Sequence, residues 1–341
     1  MNQFSNSLLD QLVDAYLPKV VPAAPPSAEQ RLMNPQWPAA RWDVSGAFIH
    51  DQSLGKMLEL FNGKFHFLPF RQVSGAPACL WSGGRSRGVQ AWPPVSKKAI
   101  QDYDSVRVSV NAIFSNCLLR PEYLGDVLGN YLLACLSETN STGSNGVILG
   151  SDILAEHVRQ NYPTLKRIAS IARVVQDGEA NRLDLYRRLA ETYDQVIIHP
   201  DDNFNLDLLE KLEDKDKYKI VVNESCIYNC PHRRLHYELT SAQFLNYLNV
   251  DLERRELDLV RQVGCGRDLD KLLFSAHHRT VTLSTTECRR IYDLGFRNFK
   301  IQGRGLKTGQ ALLFQITRWL LNDDPRTDFT SSRVIMQLVG S

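Results

Sequence analysis

No apolar run in this sequence is long enough to span a bilayer, which argues against a membrane anchor. The opening stretch, MNQFSNSLLDQLVDAYLPKV, is acidic and interrupted, without the basic start and unbroken apolar centre of a secretory leader. Surplus charge is also scarce. A formal +2 over 341 residues indicates no general attraction to nucleic acid or to a membrane surface. GxGxxG and Walker-type loops are missing after the early strand-like runs, and so are GxSxG and HExxH. These absences weigh against a dinucleotide-binding open sheet and against the common hydrolases. A cytoplasmic protein is expected. In a reducing compartment its seven cysteines read as metal-binding or catalytic wherever they cluster, rather than as a disulfide framework.

What is present is an ordinary globular composition, 43% hydrophobic and 23% charged. Residues 1–44 read as an extension: a short helix over Ser7–Leu17, then the proline-rich VVPAAPPSAEQ, which cannot pack and suits a linker or an arm for a protein partner. Strand-length apolar runs follow at Ala47–His50, Phe65–Phe70, Val106–Phe114 and Gly146–Leu149. Four more come at Arg167–Val174, Gln195–His199, Lys219–Asn223 and Asn298–Gln302. Helical periodicity lies between them, at Tyr123–Leu136, Leu183–Thr192 and Leu206–Leu212, and again at Gln310–Leu321. Eight strands bracketed by helices predict an α/β fold, a (β/α)8 TIM-like barrel over residues 45–322, with a doubly wound open sheet as the runner-up. A stretch at about 240–286 is too long for a plain connection. It reads as an insertion with a helix at Ser241–Asp251 and a short strand at Thr280–Leu283, serving the active face. Residues 323–341 form a tail.

The segment KYKIVVNESCIYNCPHRRLHY carries the most chemistry. A β-rich run ends in Glu224–Ser225–Cys226, and Cys230–Pro231 follows. Two cysteines at CxxxC spacing on one turn can aim both sulfurs at one metal, and thiolates suit iron–sulfur or zinc. The plain alternative is two buried cysteines. In GFRNFKIQGR, Lys300 inside a strand must face a partner, the lumen or an anionic ligand. Arg304 sits where barrels often hold phosphate or carboxylate, or else is an exposed arginine beside a turn glycine.

The motifs VNESCIYNCPHRRLHY and FRNFKIQGR, with SGGR at Ser82–Arg85 and VNAIFSNCLLRPEY around the third strand, resemble the collagenase-like peptidase (U-32) family over roughly residues 45 to 320. The resemblance implies a barrel. It also implies a [4Fe–4S] cluster on four cysteines: Cys226, Cys230, Cys265 and Cys117, with Cys288 as the rival to Cys117. Some members of that family are implicated in oxygen-independent hydroxylation or in RNA modification. The expected function is therefore an iron–sulfur-dependent oxidative enzyme. Glu224 and His236 would handle protons, and Arg85, Asn111, Lys300 and Arg304 would bind an anionic substrate. The alternatives are a non-catalytic metal-binding subunit or scaffold, with zinc completed by His232 or His236, and a peptidase-like hydrolase, for which no nucleophile–base pair is legible.

Overall fold

The computed structural model describes residues 33–83, 93–178, 181–224, 226–261, 280–303 and 308–321. The expected helix at Ser7–Leu17, the proline-rich arm, the tail, and residues Arg85, Cys265 and Arg304 lie outside them. In chain order the elements are β1 (Arg41–Ser45), α1 (Asp51–Phe65), β2 (Gln72–Gly75), α2 (Pro93–Ser105), β3 (Ser109–Phe114) and α3 (Val127–Glu138). There follow β4 (Gly146–Leu149), α4 (Asp152–Asn161), β5 (Lys166–Ala169), α5 (Ile171–Val174), α6 (Arg182–Thr192) and β6 (Gln195–Ile197). The chain continues through α7 (Leu206–Lys211), β7 (Tyr218–Val221), α8 (Arg233–Tyr247), α9 (Arg254–Arg261), α10 (Thr285–Asp293), β8 (Asn298–Ile301) and α11 (Gly309–Leu320).

Two compact units divide the described chain, one of residues 33–39, 50–70 and 308–321, the other of 40–49 and 71–303. In the first, α1 packs on α11, the Asn34 amide donates to the Leu320 carbonyl at 2.9 Å, and the rings of Trp37 and Trp319 lie 6.5 Å apart. The second holds all eight strands. They are parallel, and β8 pairs with both β7 and β1, so the sheet closes on itself in the order β1 to β8. This is the expected eight-stranded barrel.

Alternation within each strand divides the barrel wall. Val44, Val110, Val147, Val196, Ile220 and Phe299 are fully buried on one face. Their neighbours Asp43, Asn111, Ile148, Ile197, Lys219 and Lys300 face the lumen, so it mixes apolar with polar and charged side chains. Gly146 belongs to the lumen set. A side chain there would meet the Lys166 carbonyl at 2.7 Å and the Asn111 amide oxygen at 3.0 Å, so only glycine leaves room for that amide.

The first two strands depart from expectation. β1 is Arg41–Ser45, not Ala47–His50, because Phe48 takes a left-handed φ of 69° that ends extended chain. β2 is Gln72–Gly75, not Phe65–Phe70. β3 starts late because Arg107 is left-handed (φ 58°), and β5 stops early because the Ser170 hydroxyl caps α5, accepting from the Arg173 amide at 3.2 Å. The helix expected at Ser241–Asp251 begins earlier and is α8. Only Thr280 of the expected strand at Thr280–Leu283 is in a bridge, antiparallel to Ile227.

Candidate active site at the barrel mouth

A cavity of about 50 Å³ opens at the C-terminal ends of the strands. Its wall is apolar, from Ile113, Ile148, Ile171, Ile197 and Val221, with Tyr237 contributed by α8. Three serines, Ser45, Ser115 and Ser170, stand at strand ends around it, and Lys300 and Gln302 supply its polar side.

Beneath lies a charged layer. The carboxylate of Asp43 accepts from the ammonium of Lys219 at 2.9 Å and from that of Lys300 at 3.0 Å. Lys300 also donates to the Ser74 hydroxyl, which in turn donates to Asp43. Lys219 reaches the Gln72 side-chain oxygen at 3.3 Å. β7 neighbours only β6 and β8, so a bond from Lys219 to β1 and β2 must cross the interior. All three ionic side chains are at least 94% buried. Burial alone would raise the Asp43 pKa. The charges of Lys219 and Lys300 and the Ser74 hydroxyl override it and hold the carboxyl well below the usual range.

Lys300 thus has both a lumen partner and a pocket face, two of the environments foreseen for it. Asn111 is fully buried in the lumen and does not line the pocket; neither of its amide atoms has a hydrogen-bond partner among the described residues. Glu224 is fully buried, and its carboxylate accepts from the Gln302 side-chain amide, so it touches the pocket through that residue. Asn223 exchanges hydrogen bonds with the Gln302 backbone, at 2.9 Å and 2.6 Å, which places the ends of β7 and β8 together. His236 is half-buried and does not line the pocket. Tyr237 does, and one residue along a helix turns the side chain by about 100°.

The cysteine turn after β7 is pinned from two sides. The buried guanidinium of Arg233 donates to the Asp201 carboxylate at 2.7 Å and to the Ile227 carbonyl at 2.9 Å. On the other side the Val281 amide donates to the Cys226 carbonyl at 2.9 Å, and the Thr282 hydroxyl to the Glu224 carbonyl at 2.9 Å. Cys226 is buried, Cys230 half-buried, and both are free thiols. Nearby, His199 accepts at Nδ1 from the Asp201 amide at 3.3 Å, and burial, aided by the charges of Arg182 and Arg233, pushes it down to about 2.

The structure does not bring Cys117 to that turn. Its sulfur lies 3.4 Å from the Ser241 hydroxyl and packs on the apolar cluster of Ile113, Ile148 and Tyr237, where burial pushes the thiol up to about 11. Ser241 is eight residues along α8 from Arg233, about 12 Å at 1.5 Å per residue. Cys288 is fully buried within α10, with its thiol pushed up by burial. Cys79, pushed up by burial to about 12, contacts the Ser82 hydroxyl, and Cys135 is buried in α3. Among the described residues no three His, Cys, Asp or Glu side chains are grouped to hold a metal. Cys117, Cys226 and Cys230 are thus not grouped around one point, and Cys265 lies outside the described residues.

Asp43 and Lys219 were not foreseen as site residues. The signal was there: a lone charge at an alternate position in each of the runs WDV and YKIVV, as in the NFKI run that did point to Lys300.

No family model and no curated protein matches the sequence. Among solved structures, the chain is similar to the U32 peptidase Mk0906, at 12% identity and a TM-score of 0.49, over 83% of this chain and 96% of that one. No helix among the described residues is long and apolar enough to cross a membrane.

Proposed function

We propose that this chain is a barrel enzyme that modifies a small, partly apolar, anionic molecule held at the C-terminal mouth. The pocket carries the reading. Its apolar wall would take a short hydrocarbon body, and the Lys300 ammonium, the Gln302 amide and the serine hydroxyls would take the anionic end. A cavity of about 50 Å³ limits that body to a few heavy atoms, since one water needs about 10–15 Å³ of such space. Glu224 fixes the Gln302 amide from behind. Barrel enzymes place their chemistry at this end of the strands.

A thermal-shift panel tests the reading with propionate, butyrate, hexanoate and the matching amides. The short carboxylates should raise the melting temperature and the amides should not. Equal, absent or chain-length-blind responses would remove the pocket as a ligand site.

A second reading, metal binding at Cys226 and Cys230, has one observation in its favour. Residues 280–283, which follow Cys265 in the sequence, lie along the cysteine turn. The ligand set would then be Cys226, Cys230 and Cys265, without Cys117. Anaerobic purification followed by iron, sulfide and zinc analysis tests it: metal retained by the native chain and lost in Cys226→Ser supports it, and a metal-free native chain ends it.

A further inference from the structure

We propose that Lys300 is an amine nucleophile that forms an imine with a small carbonyl compound, of the 2-oxo acid class, bound in the mouth pocket. The inference rests on the pocket being a ligand site, and it assigns chemistry to a residue otherwise accounted for as a charge.

Of the two buried lysines, Lys219 and Lys300, only Lys300 lines the pocket. Lys219 lies deeper, between Asp43 and Gln72. Lys300 is 95% buried, among apolar walls on its open side, with its ammonium 3.0 Å from the Asp43 carboxylate. A lysine in an apolar pocket beside a second cation is one of the recognised arrangements for carbonyl addition. Lys219 is that cation, joined to Lys300 through the carboxylate they share.

The step balances without any added reagent. Lys300 passes one ammonium proton to the carbonyl oxygen, and the electron pair this frees forms the C–N bond to the carbonyl carbon; a second proton moves from nitrogen to that oxygen, which departs as water. The product is a protonated imine, so the positive charge beside Asp43 is the same before and after. Asp43, held ionised by its surroundings, keeps a cationic partner throughout. A 2-oxo acid suits the remaining groups. Its carbonyl would meet Lys300, its adjacent carboxylate would face Gln302 and the serine hydroxyls, and the space left admits only a short chain.

The test is reductive trapping on the full chain with pyruvate or 2-oxobutyrate and cyanoborohydride, followed by peptide mass spectrometry. One secondary-amine adduct is expected at Lys300, at least tenfold above that at any other lysine, and absent from Lys300→Arg and Lys300→Met. The mapping on the native chain stands even if a variant fails to fold. A thermal shift with butyrate, which has no ketone, is read in parallel. Butyrate binding without an adduct at Lys300 overturns the imine and leaves the pocket; neither binding nor adduct overturns both. Adducts spread evenly over the lysines also overturn the imine.

Discussion

The floor of the barrel and the rim between β6 and β7 bury ionisable groups equally well, yet they do so in opposite ways. In the floor a carboxylate stays charged because two lysines from other strands converge on it. At the rim an imidazole stays neutral, with its Nδ1 accepting from the Asp201 amide, while the charge nearby belongs to Arg233 and Asp201. The floor is a charge layer that ties β1, β7 and β8 across the lumen and presents one of its cations to the pocket. The rim is a hydrogen-bonded clamp whose product is the shape of the cysteine turn.

The largest expected effect comes from breaking the floor. Asp43→Asn leaves two buried ammoniums without their carboxylate and should cost about 3–5 kcal/mol in denaturant unfolding. Adding Lys219→Met and Lys300→Met to it should recover part of that loss. A single variant as stable as the native chain would mean the layer is hydrated and not a buried pair.

The rim should respond to acid instead. His199 is held well below its ordinary value near 6.5, so the unfolded chain binds its proton more readily. Stability from this group is complete above about pH 6.5 and falls as pH drops from there toward 2. By pH 5 the loss is about 2 kcal/mol, at about 1.4 kcal/mol per pH unit. His199→Gln should flatten the stability profile between pH 7 and pH 5. An unchanged profile would contradict a neutral, buried imidazole.

A smaller effect, in rate rather than stability, sharpens the contrast among cysteines. Among the described cysteines, native-state alkylation at pH 8 should label Cys230 first, because it is half-buried on an accessible turn. Cys117 and Cys79 should react at least tenfold more slowly, since burial pushes both thiols up. Cys117 reacting as fast as Cys230 would place it outside the apolar cluster.

How much was legible in the sequence follows from the same physics. β4 and β8 could be read because GVIL and NFKI sit between clear turn or helix signals. β1 and β2 could not, because RWDVS and QVSG spend half their residues on a charged and hydroxyl-lined lumen. The apolar runs beside them, AFIH and FHFLPF, were the better strand signals and the wrong ones. Lys300 was legible as a charge inside a strand. Its partners were not, because Asp43 and Ser74 lie 257 and 226 residues away and meet it only when the barrel closes. The cysteine turn was legible from spacing. The place of Cys117 was not, because its contacts with Ser241 and with the cluster of Ile113, Ile148 and Tyr237 form only when α8 packs on the strand ends.

The most direct test of the mouth pocket is calorimetric titration of butyrate into the native chain and into Ala172→Leu; Ala172 lines the pocket beside Ile171, and the change places three more carbons in a cavity of about 50 Å³. The account requires saturable binding to the native chain, with a Kd of about 1 mM or tighter, and at least tenfold weaker binding to the filled variant, with both proteins folded. Equal heats from the two, or no heat from either, would contradict it.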